Sequence, residues 1–118
     1  MHEYFIVQNI IKTVEEILNN YPDKKVVKIV LVIGKFSGVE PDLLKTALEF
    51  FKKGTPLEDA EIFLELTDLK IKCKECKKEF FRDKWNVICP YCQSLNTEVI
   101  QGEEMILKTL ELVDVNQI

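Results

Sequence analysis

Residues 73–92 read CKECKKEFFRDKWNVICPYC. Two Cys-x-x-Cys pairs, Cys73/Cys76 and Cys89/Cys92, stand twelve residues apart. Each pair places two sulfurs on one side of a tight turn. Together they offer the four thiolates that a tetrahedral structural Zn²⁺ requires. Iron fits the same sulfur cage. Disulfides and redox-active Cys-x-x-Cys chemistry compete with a bound metal. The first suits an oxidising compartment, and the second normally sits at the start of a helix. Neither pair opens a convincing helix, so structural zinc is the favoured reading. Glu79-Phe80-Phe81 and Asn86-Val87-Ile88 then read as short strands of a zinc ribbon, with Phe81 and Trp85 available to pack over the site.

The sequence changes character on both sides of this ribbon. Residues 71–101 carry six basic and four acidic side chains, whereas residues 1–70 carry nine and twelve and residues 102–118 one and four. Val7, Ile10, Ile11, Val14, Ile17, Leu18 and Tyr21 recur at the spacing of an amphipathic helix, with Pro22 beyond it. Val26 to Ile33 is a nearly continuous β-branched run, expected to be a strand covered on both faces. Pro41 opens a second helix whose apolar face is expected to include Leu43, Leu44, Ala47, Leu48, Phe50 and Phe51. Residues 60–72 read as one half-buried strand and residues 103–113 as another. The expected fold class is α+β: a small α/β layer of two helices on a mixed three-stranded sheet, with an inserted four-cysteine zinc-ribbon module. Its domains would be 1–69 plus 102–118, discontinuous in sequence, and 70–101.

Composition narrows the function. No apolar run approaches the ~20 residues of a membrane span. MHEYFIVQNII lacks a basic n-region and carries Glu3, so no secretory signal is expected and the cytoplasm is the expected location. A net charge of −4 argues against broad nucleic-acid coating. With one His and no phosphate-binding Gly-rich motif, catalytic constellations are lacking and the chain does not read as an enzyme. The competing function is a zinc-ribbon module for nucleic-acid or protein interaction.

That single His stands at position 2. Its large side chain disfavours removal of Met1, so the Met1 amine, the His2 backbone nitrogen and the His2 imidazole can wrap one ion in fused five- and six-membered chelate rings. Three nitrogens in a plane suit Ni²⁺ or Cu²⁺. The fourth corner is open to Glu3, water or a partner's ligand, and Glu40 and Asp42 are further acids that a fold could bring close. Asp42 is better explained as a first-turn acid.

Met1-His2-Glu3, VVKIVLVIGKFSGVEPDLL, FFKKGTPLEDAEIFLE, CKEC and CPYC occur here in one order. In this the chain resembles the HypA/HybF family of hydrogenase maturation factors over essentially its whole length. The resemblance implies a nickel metallochaperone, with Met1, His2 and Glu3 holding Ni(II) and Glu40 a further acid near that site. Cys73, Cys76, Cys89 and Cys92 would hold Zn(II). It implies a HypB-type GTPase and the [NiFe]-hydrogenase large subunit as partners, with urease served in some organisms. No nucleic acid or membrane partner is implied, and the expected state is a monomer or weak homodimer. Three departures stand out. Tyr4-Phe5 is bulky where members often have a small or hydroxyl residue. Gln93 stands where Gly often follows the last Cys, and the ribbon has no His.

Overall fold

The computed structural model describes residues 3–117. Helix α1 spans Glu3–Leu18 and buries Val7, Ile10, Ile11 and Val14. The turn bonds Asn20 N–H to Ile17 O and Tyr21 N–H to Leu18 O then tighten the chain. Tyr21 therefore lies past the helix end, is 48% exposed, and drops out of the expected stripe. Strand β1 spans Lys24–Gly34, with Val26, Ile29, Val30, Leu31 and Ile33 buried. Side chains of both parities are covered, as a continuous β-branched run requires.

Helix α2 spans Pro41–Phe51. Glu40 is its N-cap, its carboxylate accepting from Asp42 N–H at 3.4 Å, and Pro41 occupies the first turn. Only Leu44 and Leu48 of the expected wide face are fully buried; Leu43 and Phe50 point to solvent. A helix this short aligns positions 44 and 48 on one line and turns 43 and 50 away from it. Strand β2 (Glu61–Thr67), β1 and β6 (Met105–Asp114) form a mixed three-stranded sheet in the order β2-β1-β6. This arrangement of two helices and a mixed sheet matches the expected class.

The expected single strand 60–72 is two. It breaks at Asp68, after which β3 (Leu69–Cys73) enters a second sheet, order β4-β3-β5. The parity of the buried side chains switches there: Ile62 is inward before the break, and Leu69, Ile71 and Cys73 after it. One strand cannot change faces without a break. β3 pairs antiparallel with β4 (Glu79–Arg82), Ile71 opposite Phe80, and with β5 (Thr97–Gln101), Cys73 opposite Thr97. Asn86-Val87-Ile88 forms no strand. Its carbonyls accept from Arg82, Asn86 O at 3.1 Å and Ile88 O at 2.6 Å, and the Asn86 side chain caps Ile88 N–H.

By contacts the described residues group into two units. One draws on residues 3–31, 40–65 and 106–117, the other on Val32–Val39 and Leu66–Met105. Segment 32–39 joins the second through main-chain bonds. Gly34 N–H reaches Glu104 O at 2.8 Å, Lys35 N–H reaches Thr67 O at 3.0 Å, and Phe36 N–H reaches Gly102 O at 2.7 Å. Glu104 secures this join with its carboxylate, which accepts from Gly102 N–H at 2.6 Å and Thr67 Oγ1 at 2.9 Å. Burial opposes its ionisation, but hydrogen bonds from its own N–H, Gly102 N–H, the Thr67 hydroxyl and Glu103 N–H outweigh that and hold the carboxyl below its usual 4.5. A depressed folded pKa gives stability that is present above the unfolded value and is lost as pH falls through the folded one. Stability should decline below about pH 4.5, and Glu104→Gln should flatten that acid limb in urea unfolding measured across pH. An unchanged limb would remove Glu104 from the account. Among the described residues no helix is long and apolar enough to cross a membrane.

Candidate metal centre

The second unit has a small core of Leu69, Ile71, Cys73, Phe80 and Cys89, with Phe36, Cys76, Val87 and Val99 packed against it. Phe80, opposite Ile71 in the register, takes the covering position expected of Phe81. Phe81 falls on the other face of β4. Trp85 is exposed and rests on Phe36, with ring centroids 5.8 Å apart.

The two cysteine turns repeat one pair of main-chain hydrogen bonds, and in each an N–H also donates to the first sulfur. In the first, Cys73 N–H donates to Lys78 O at 2.9 Å, Lys77 N–H to Cys73 O at 3.0 Å, and Cys76 N–H to Cys73 Sγ at 3.5 Å. In the second, Cys89 N–H donates to Ser94 O at 3.0 Å, Gln93 N–H to Cys89 O at 2.9 Å, and Tyr91 N–H to Cys89 Sγ at 3.4 Å. Each turn closes on a residue of positive φ, Lys77 at 68° and Gln93 at 65°. This is the physical reason a glycine is suited to position 93, since a Cβ there costs about 1 kcal/mol or more. Gln93→Gly is expected to raise stability by up to about 1 kcal/mol and Gln93→Val to lower it, read from unfolding of the metal-loaded protein. A lower midpoint for Gln93→Gly would contradict this.

The turns bring four sulfurs together. All lie within 4.8 Å of one another, with Cys73–Cys92 at 3.5 Å and Cys76–Cys89 at 3.7 Å. A tetrahedron of thiolates at the Zn–S distance of ~2.3 Å has edges of about 3.8 Å. All four cysteines are free. Burial opposes ionisation of Cys89, but the N–H groups of Cys92 and Tyr91 outweigh it and bring the thiol down to about 7. Cys92 moves the other way. Ser94 N–H favours its thiolate, yet Cys73, burial, Cys89 and Cys76 push it up to about 12. Four sulfurs this close do not all ionise without a cation among them, so binding one releases protons.

Met1 and His2 lie outside the described residues. Glu3 is half-buried at the start of α1, and its Oε2 is shielded from solvent with no hydrogen-bond partner among the described residues. A buried carboxylate oxygen without a donor is costly and rare. Glu40 is exposed and already engaged as the cap of α2, a role that accounts for an acid at that position without a metal.

A family model described as "Hydrogenase/urease nickel incorporation, metallochaperone, hypA" matches residues 1–112. The chain belongs to the HypA family. Among HypA relatives, the hydrogenase maturation factor HypA of Aquifex aeolicus is 47% identical over 112 residues, covering 95% of this chain and 97% of its own. That of Shewanella oneidensis is 40% identical, with 95% of each chain covered. The solution structure of the Ni metallochaperone HypA from Helicobacter pylori superposes with a TM-score of 0.70 at 29% identity, covering 97% of this chain and 99% of that one. A second HypA solution structure gives 0.67 at 30% identity, with 96% and 97% covered. HypA proteins are metallochaperones and maturation factors, so this chain is not an enzyme. The four-cysteine cluster of this HypA chain has the donor set and the spacing of a metal site.

The four cysteines expected to converge do so. The unpartnered Glu3 oxygen, the left-handed residues closing each cysteine turn, and Glu104 are additions from the structure. The Cys-x-x-Cys spacing is itself the available signal for Lys77, since each turn closes on the residue after its second Cys. Nothing in the sequence marks Glu104.

Proposed function

We propose that this HypA chain carries nickel. One Ni(II) is held by the Met1 amine, the His2 backbone nitrogen and the His2 imidazole, with Glu3 at the open corner. Glu40 is the further acid we propose near the site. Zn(II) on Cys73, Cys76, Cys89 and Cys92 is structural. As domains we keep residues 1–69 plus 102–118 for nickel and 70–101 for zinc. The work takes place in the cytoplasm, where thiols stay reduced. A HypB-type GTPase assists, and the cargo goes to the large subunit of [NiFe]-hydrogenase, with urease a second acceptor in some organisms. The carrier acts as a monomer or weak homodimer.

The observation that supports this reading, beside family membership, is the Glu3 oxygen at the head of α1, shielded and without a donor among the described residues. A cation would supply what it lacks. The chain contributes nitrogen donors, a carboxylate and an incompletely closed coordination sphere, which suits a carrier because an open corner lets an acceptor's ligand enter before the first donors leave. A nucleic-acid role draws less support. Lys70, Lys78 and Arg82 already lie over the rings of Phe81, Tyr91 and Phe80, which engages cations and rings it would need.

Calorimetry and d–d spectroscopy test the proposal. The native chain should bind one nickel, and His2→Ala should lose more than about a hundredfold in affinity, since losing even an outer partner of a metal ligand costs up to that much. Affinity should also fall steeply as pH is lowered, because protons compete for the amine and imidazole. Equal binding by native protein and His2→Ala would remove the N-terminal site.

A further inference from the structure

The first turn of α1 is held by something other than its apolar stripe. Val7 is the first α1 residue in the core. Ahead of it, the Tyr4 ring stands edge-on to Phe51, the last residue of α2, with centroids 5.1 Å apart and planes at 73°. Phe51 is braced in turn by Phe50 at 4.9 Å and 78°. Tyr4 is 52% exposed and Phe51 36%, so the contact adds little to the core. It acts instead on a helix start, where the first N–H groups have no intrahelical acceptor and the backbone frays unless tied down.

A second observation points the same way. The Glu3 carboxylate keeps one oxygen away from water with no hydrogen-bond donor among the described residues, and Glu3 is the residue next to Tyr4. Such a placement persists only where the surrounding structure over-determines it. A slack first turn would let the carboxylate swing out to water.

We infer that Phe51 is a positioning residue for the cargo: by holding Tyr4 it fixes the course of the backbone at Glu3, from which the chelating terminus extends. The inference rests on the N-terminal nickel reading proposed above. Phe51 touches no ligand. It acts through Tyr4, by removing conformations of the first turn that cannot close on an ion.

The test uses the full-length, zinc-loaded chain and nickel alone as probe, with calorimetry for affinity, circular dichroism of the d–d bands for geometry, and thermal unfolding for the fold. Phe51→Ala should bind nickel about threefold to tenfold more weakly, the range an aromatic pair supports, with a changed d–d pattern and a native unfolding midpoint. Phe51→Tyr, which keeps the ring, should restore both. Tyr4→Leu breaks the same contact from the other side, and the double variant should be no weaker than either single one. Native affinity and a native d–d pattern in Phe51→Ala would overturn the inference while leaving the nickel reading intact, provided His2→Ala still abolishes binding. If His2→Ala binds like the native chain, the nickel reading itself fails. Weaker binding accompanied by a lower unfolding midpoint in both Phe51→Ala and Tyr4→Leu would assign the pair to the fold and overturn the positioning role.

Discussion

Gly34→Ala is expected to leave the second unit unfolded, with loss of that unit's share of the native circular dichroism. A Cβ at position 34 would sit 2.2 Å from both the carbonyl carbon and the oxygen of Gly102 and 2.7 Å from Glu103 N. These are backbone atoms, and they cannot swing aside as a side chain would. Moving them breaks the bonds Gly34 N–H to Glu104 O and Phe36 N–H to Gly102 O and disturbs the turn that Glu104 braces. Gly102 has little room to yield. It adopts φ +115°, and its own Cβ would lie 2.8 Å from the Leu69 Cα. Overpacking against backbone with loss of a hydrogen-bonded network belongs to the rare class costing more than about 4 kcal/mol. Gly38→Ala is the control. Nothing lies within 4 Å of a Cβ there, and only its φ of +84° is adverse, so about 1–2 kcal/mol is expected. Circular dichroism and urea unfolding of both variants decide the matter. Native-like stability in Gly34→Ala would refute the close-approach account.

Removing the metal should be as damaging to the second unit. The core cluster around its sulfurs has five buried residues, two of them cysteines. Apolar burial on that scale does not offset the ordering of some forty residues at roughly 1–2 kcal/mol each. Structural zinc supplies on the order of 10–16 kcal/mol in small cysteine sites. A strong chelator, or Cys89→Ser at a fully buried member of the sulfur cluster, is therefore expected to melt residues 66–105. Metal content by elemental analysis should fall together with the emission shift of Trp85, the chain's one tryptophan, which packs on Phe36 in this unit. Quantitative loss of metal with unchanged Trp85 emission and amide protection would show that the ion is not structural.

How far the sequence can be read depends on whether spacing alone settles the geometry. Cys73, Cys76, Cys89 and Cys92 are legible because a Cys-x-x-Cys turn leaves its sulfurs little freedom. The α1 stripe from Val7 to Val14 is legible through its period, and β1 through its unbroken β-branched run. The break at Asp68 is written in the sequence as a parity switch between Ile62 and Leu69, but a run of alternating residues conceals it until a register is known. β5 escapes a sequence reading because Thr97–Gln101 is short and half-exposed and gains its place from pairing with β3. Gly34 reads in the sequence as the end of a strand. Its actual constraint comes from Gly102, sixty-eight positions on, and no local pattern carries that. The join through residues 32–39 is hidden for the same reason.

The strand order has a consequence for synthesis. β1 is central in β2-β1-β6, and one of its edges is completed by the last strand to be made. The residues of the cysteine unit have all been translated by position 105, before the bulk of β6 exists. Closure of the first sheet therefore waits on the last residues made, and until β6 pairs, β1 presents an open edge to mispairing.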